Sequence, residues 1–244
     1  MRRLFLLPLL FFALPAFAQD LPAPEIALVK PATMGYTMTM AVMGQELVIT
    51  STRTLEETQA GWQIIDAATL PPMMGGVSMV DTFEVDPLTL RATRRALSAG
   101  PMGAASLTYT EDGVMGEMSQ QGQSMPIDET FETATLSDGS AFELFVSALP
   151  LVVGSVYDFT IYSPQGQGSR PMRMEITGEE SVTVGAGTFD TFVASFTPQD
   201  GNDAGTATLY LAKDGAHVVV KSVASMGAAM GGGTTTTELT SYER

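Results

Sequence analysis

Residues 36–55 read YTMTMAVMGQELVITSTRTL, and this stretch decides the fold class. Tyr36, Met38, Met40 and Val42 recur at every second position, which puts them on one face of an extended chain and the threonines on the other. Gly44-Gln45 supplies a tight turn. Residues 46–55, rich in β-branched side chains, return as the partner strand.

The same grammar runs outward in both directions. Residues 61–67 form a further candidate strand, and Pro71 to Gly76 read as a loop because prolines and glycines interrupt regular structure. Residues 79–85 and 88–97 flank an Asp86-Pro87 turn. Residues 106–110 and 114–118 flank Asp112-Gly113, a two-residue hairpin signal. The polar stretch 119–130 reads as a loop. One helix is expected over 139–148, capped by Ser137 or Asp138, ended by Pro150, and pinned to the sheet by Phe142, Phe145 and Leu149. Beyond it the chain returns to strands at 156–162, 172–176, 188–196, 206–212, 217–224 and 234–240. About a dozen short strands and one short helix predict an all-β protein: an antiparallel wrapped sheet, an open barrel or a sandwich.

The N-terminus carries an address. Arg2 and Arg3 precede an apolar run from Leu4 to Leu14, and Ala16-Phe17-Ala18 is a small-x-small cleavage signal. This is the anatomy of a secretory signal peptide over 1–18, cut after Ala18. The run falls short of the roughly 20 residues that span a bilayer. Residues 19–32 hold three prolines and form an extended lead-in, leaving 33–244 as one β domain, with 119–150 the best place for any subdivision. The expected location is the periplasm, with no transmembrane anchor after cleavage.

Composition narrows the function. Net charge is −15, and loss of Arg2 and Arg3 with the leader takes it to −17. Such a surface repels phosphate backbones, so nucleic acid is not an expected partner. The sequence has no cysteine, which removes disulfides, thiol catalysis and zinc–thiolate sites. No cofactor-binding motif appears.

Three segments add a resemblance. Residues 83–90 (FEVDPLTL) place Asp86 and Leu90 in a strand-Asp-x-x-Thr-Leu step. Residues 148–154 (ALPLVVG) place Pro150 and Gly154 before a strand. Residues 179–192 (EESVTVGAGTFDTF) place Gly187, Thr188 and Phe189 where two strands reverse. Together they resemble the bacterial exported family called domain of unknown function 3108, with Gly185 standing where that family usually has proline. The likeness runs over roughly residues 36–240. It implies an envelope protein with an open or wrapped antiparallel sheet, and it implies no chemistry.

Candidate chemistry is sparse. The single histidine, His217, has no assignable carboxylate partner, so it reads as a rim residue. Asp81, Glu84 and Asp86 cluster, as do Asp200 and Asp203, and a hydrolase would need two such carboxylates held in one cleft. Sixteen methionines are the unusual feature. Met38 with Met40, and Met172 with Met174, each set two thioethers on one strand face about 6 to 7 Å apart, a soft-ligand arrangement for Cu(I) if the two pairs met. Core packing explains the same pattern, as does an apolar cavity with a flexible lining. The reading is a non-enzymatic envelope protein that binds an apolar ligand or envelope component or serves as an interaction module. A hydrolase and a copper binder are its rivals.

Overall fold

The hairpin at residue 36 forms as its alternation predicts. In the computed structural model β1 (Ala32–Val42) pairs antiparallel with β2 (Gln45–Thr58), Met38 opposite Ile49 and Tyr36 opposite Ser51. The structure describes residues 21–42, 45–72, 75–120, 122–165, 168–201, 205–214, 218–226 and 233–244. The leader and its cleavage position, His217, Gly44 and Asp203 lie outside the described residues.

The chain continues through β3 (Gly61–Thr69), β4 (Ser78–Val85), β5 (Ala92–Ser98), β6 (Gly103–Tyr109), β7 (Gly113–Gln120), β8 (Gln123–Thr130) and β9 (Thr135–Ser137). The helix α1 (Ser140–Ser147) follows. Then come β10 (Val156–Ser163), β11 (Gly168–Val184), β12 (Gly187–Pro198), β13 (Ala207–Ala212), β14 (Val219–Met226) and β15 (Gly233–Glu243). All fifteen strands join one sheet in the order β8-β7-β6-β5-β4-β3-β2-β1-β15-β14-β13-β12-β11-β10-β9. Neighbours are antiparallel except β9 and β10. The β1–β15 pair brings the two chain ends together.

This topology forces the sheet to curl. Its two edges, β8 and β9, are joined only by residues 131–134. Flat, fifteen strands at about 4.8 Å spacing would hold those edges some 65 Å apart. The connector reaches no more than about 18 Å. The sheet therefore wraps until its β9–β10 end meets β5, β6 and the connector at a seam, where they touch through side chains. Tyr162 of β10 packs against Phe131 and Tyr109 with ring centroids 5.6 and 6.5 Å away. Thr133 and Thr160 share a hydroxyl hydrogen bond of 3.1 Å, and Arg91 donates to the Thr135 carbonyl at 3.2 Å.

The interior is filled from one side by α1, which lies against β3, β4 and β9. Phe142 meets Phe159 and Phe196 edge-on, and Phe145 meets Phe159. Phe83, Ile64, Leu149, Met174, Ile176 and Leu239 are fully buried around them. The proline-rich lead-in docks over the helix exit, with the Glu25 amide donating to the Ala148 carbonyl at 2.6 Å and Val29 buried.

Four sequence expectations need correction. Residues 119–130 are a hairpin of β7 and β8. The side chains of β8 are nearly all exposed because it is an edge strand, so no buried face betrays the alternation. The strand expected from Leu88 starts at Ala92, because the Asp86 carboxylate takes the Leu88 and Thr89 amides into a longer turn. Neither Ser137 nor Asp138 caps α1. The N-cap is Gly139, in a positive-φ conformation (+74°), while Asp138 is drawn into ion pairing. The lead-in is not wholly extended, since Ile26–Leu28 make one 3-10 turn between its prolines.

Candidate functional site

A row of charge crosses the inner face of four neighbouring strands. Arg53 on β2 stands opposite Asp66 on β3, and Asp66 stands opposite Asp81 on β4. Arg95 on β5 lies one diagonal further, opposite Phe83. These are interior positions, since they alternate in step with the buried Leu55, Ile64 and Phe83. Arg53 Nε donates to Asp66 Oδ1 at 2.6 Å, and its Nη1 to Glu143 Oε2 of α1 at 2.5 Å. Arg95 is only 7% exposed; it grips Asp81 through Nε at 3.0 Å and Nη2 at 2.7 Å, and reaches Asp138 through Nη1 at 2.8 Å. Ser163 of β10 donates to the other Asp138 oxygen at 2.7 Å, which ties the row across the seam. Rings support both guanidiniums, Tyr36 under Arg53 and Phe83 under Arg95.

Burial shifts these groups. It pushes the Asp81 carboxyl up against the pull of Arg95, and the facing Asp66 and Asp138 charges add to the rise. Burial disfavours the Arg53 cation, yet Glu143 and Asp66 outweigh it and hold the guanidinium charged. The Tyr36 phenol is raised by burial and donates to the Val219 carbonyl at 3.2 Å.

Two hollows adjoin this row. A concavity of about 290 Å³ has an apolar wall of Met38, Ile49, Ala68, Leu70 and Met79, and it ends on Arg53, Asp66, Asp81 and Glu143. A smaller cavity of about 50 Å³ lies beyond, under Leu28, Val29 and Leu144. Tyr36, Arg53, Ser140, Glu143 and Val219 line both, so they form the partition. Ser140, at the start of α1, is 3% exposed, and its hydroxyl has no hydrogen-bond partner.

The residues singled out from sequence fall in different places. Met38 lines the larger hollow. Met172 lines a separate surface groove beside the Arg173–Asp158 pair, and Met174 is fully buried in the core. Four strands separate β1, with Met38 and Met40, from β11, with Met172 and Met174. Among the acids, Asp81 is held by Arg95, Glu84 by Arg94 and Asp200 by Arg170. Asp86 is spent on its own turn, accepting from the Leu88 amide, the Thr89 amide and the Thr89 hydroxyl. The acids that share the hollow are Asp66, Asp81 and Glu143, and only Asp81 belongs to a cluster visible in the sequence.

The motif residues have structural work. Leu90 is fully buried with φ of +53°, held by the Asp86 turn. Pro150 offers its carbonyl to the Tyr157 hydroxyl, and the Gly154 amide bonds to Ile176. Gly187 has φ of +133° at the β11–β12 reversal, a backbone state that favours glycine. Thr188 bonds Thr183 across the ladder at 2.9 Å. Phe189 and Phe192 are both half-buried, and three-residue spacing sends them to opposite faces.

Sequence reasoning missed Arg53 and Arg95. The available signal was a long cation at a core-parity position: Arg53 keeps step with Leu55, and Arg95, unlike Arg94, keeps step with Leu97.

The family described as a protein of unknown function (DUF3108) matches residues 33–238. None of the curated proteins matches. Among solved structures, the chain is similar to a protein with a YmcC-like fold from Bacteroides fragilis, at 13% identity and a TM-score of 0.35 over 91% of this chain and 100% of that one. It is similar to a DUF1329 family protein from Desulfovibrio piger, at 10% identity and a TM-score of 0.35 over 90% and 87%. It is also similar to a domain assigned as an outer membrane lipoprotein-sorting protein from Vibrio parahaemolyticus, at 9% identity and a TM-score of 0.32 over 87% and 84%.

Proposed function

The chain belongs to the DUF3108 family, and on that premise we propose that it is a non-enzymatic envelope protein that carries or senses an apolar ligand in the hollow beside α1. The observation that supports this reading is the hollow itself: about 290 Å³, walled by Met38, Ile49, Ala68, Leu70 and Met79, and ending on the half-buried charges of Arg53, Asp66, Asp81 and Glu143. Ligand sites are mostly apolar clefts with a few convergent polar groups. Two methionines in the wall give it an adaptable surface. The signal-peptide pattern over 1–18 supports export, and among the described residues no helix is long and apolar enough to cross a membrane.

The acids of the site support binding over hydrolysis. Asp66 and Asp81 face one another, yet each is engaged by a guanidinium, so neither is poised as a free general acid and nucleophile pair. The test is a neutral apolar fluorophore, N-phenyl-1-naphthylamine, titrated into the mature protein (residues 19–244). Saturable enhancement is expected in the wild type, with loss in Ile49→Trp, which fills the hollow. Enhancement that Ile49→Trp leaves unchanged would place the probe elsewhere and defeat the reading.

A further inference from the structure

The two ends of the wrapped sheet differ in charge. From β8 round to β10 every neighbouring pair is antiparallel, so alternate connections fall at opposite ends. One end gathers the connections 43–44, 70–77, 99–102, 121–122, 164–167, 199–206 and 227–232. In sequence six of these seven contain no charged residue. The exception, 199–206, holds Asp200 and Asp203, and Asp200 is paired with Arg170. Glu46, second in β2, adds one acid beside them. At the opposite end the connections 86–91, 110–112, 131–134 and 213–218 all carry charge, among it Asp86, Arg91, Glu111, Asp112, Glu132 and Lys213. Only the short turns 59–60 and 185–186 and the stretch 148–155 lack it there.

The neutral end is also apolar. Its connections hold Met43, Met73, Met74, Met102 and Met230. Among the described residues, Val48, Val80, Met102 and Met125 are exposed in these connections or within four residues of them. The opposite end exposes Leu88 and Val156 too, but Leu88 sits in the turn between Asp86 and Arg91, and Val156 pairs with Glu175. Charge therefore separates the ends, and apolar exposure alone does not.

We propose that the neutral end docks transiently on a lipid bilayer, with Val80 and Met102 entering the head-group region and the acidic end turned away. A chain of net charge −15 is repelled by anionic lipid, and it approaches with least cost through the end that brings least charge. Apolar side chains spread over several separate connections suit a flat, soft surface, which each can enter singly. The wall of the hollow leads the same way: Ile49, Leu70 and Met79 each lie nearer this end than Arg53, Asp66 and Asp81 on the same strands or their continuation. Val80 and Met102 lie outside the hollow, so the docking surface stands apart from what the hollow holds.

The experiment is flotation of residues 19–244 with vesicles of phosphatidylethanolamine and phosphatidylglycerol at high salt. The wild type is expected to float. The double variant Val80→Asp, Met102→Asp should float about tenfold less, with an unchanged melting temperature as the control for folding. The matched double variant at the other end, Leu88→Asp, Val153→Asp, should float as the wild type does. A wild type that stays with the unbound protein, or equal loss in both double variants, would overturn the proposal. A wild-type dimer in analytical ultracentrifugation that Val80→Asp, Met102→Asp splits, with no flotation, would assign this end to a second copy of the chain instead. Titration of Val80→Asp, Met102→Asp with N-phenyl-1-naphthylamine keeps the two readings apart: fluorophore binding as in the wild type with flotation lost is the expected pair. Flotation of a wild type that binds no fluorophore would defeat the hollow and leave the docking surface standing.

Discussion

Asp66 and Asp81 stand directly opposite one another across β3 and β4, and each is clasped from the far side by its own arginine, Arg53 from β2 and Arg95 from β5. Two like charges at facing positions repel, so each carboxylate is tolerable in the interior only because its guanidinium is there. The row is thus a unit, and removing one member should expose the rest.

Arg53→Met leaves Asp66 and Glu143 without their cation. Both are partly shielded from water, so a loss of about 2 to 3 kcal/mol is expected, at or below the lower end for breaking a buried pair. The triple variant Arg53→Met, Asp66→Leu, Glu143→Leu should recover most of that loss, since apolar replacements leave no orphan charge. Urea denaturation of the three proteins checks both statements. A triple variant no more stable than the single one would show that the row contributes more than charge neutralisation.

The two aspartates with shifted carboxyls should give opposite pH slopes. Asp81 is raised by burial, so the folded state holds its proton more tightly than the unfolded chain does. Its contribution to stability therefore falls as pH rises from the ordinary aspartate value, about 3.9, to the higher folded value. Asp86 is lowered: burial works against it, but the hydrogen bonds of its turn win. Its contribution is present above about 3.9 and is lost as pH falls toward its folded value. Asp81→Asn should remove a negative slope from the stability curve above that pH, and Asp86→Asn a positive slope below it. Denaturation midpoints at a series of pH values from acid to neutral would read both.

How much of this was legible in the sequence follows from how local each feature is. The β1–β2 hairpin was legible because alternation and turn residues lie within twenty positions. The edge strand β8 was not, since with both faces wet Gln123 to Thr130 need no apolar period. The reach of Asp138 was not legible either: a capping candidate two positions before a helix looks the same whether its carboxylate turns inward to the helix or outward to Arg95, forty-three residues away. The charge row needs four strand registers at once, and register is set by non-local pairing. Only the core parity of Arg53 and Arg95 hinted at it.

Leu90 offers a test of backbone strain. It is fully buried in a left-handed conformation that costs a non-glycine residue about 1 to 2 kcal/mol. Leu90→Ala should lose about 3 kcal/mol from the core. Leu90→Gly should be no less stable than Leu90→Ala, the reverse of the usual order, because glycine adopts that conformation freely. Thermal unfolding of the pair decides it, and a glycine variant clearly below the alanine one would remove strain from the explanation.

The seam should be the first part of the sheet to open. Asp138 joins Arg95 of β5 to Ser163 of β10, and the connector 131–134 lies beside it. Asp138→Ala is expected to raise amide exchange in β9 and β10 while β1, β2 and β15 keep their protection. Uniform acceleration across all strands would mean the seam has no local opening of its own.

The most direct measurement of the central claim is native mass spectrometry of residues 19–244, purified without detergent, wild type beside Ile49→Trp. The expected result is a reproducible added mass on the wild type that vanishes on denaturation and is absent from the variant, with fragmentation showing an aliphatic chain. A bare wild-type mass that stays bare after incubation with a membrane lipid extract would contradict the claim that the hollow beside α1 holds an apolar ligand.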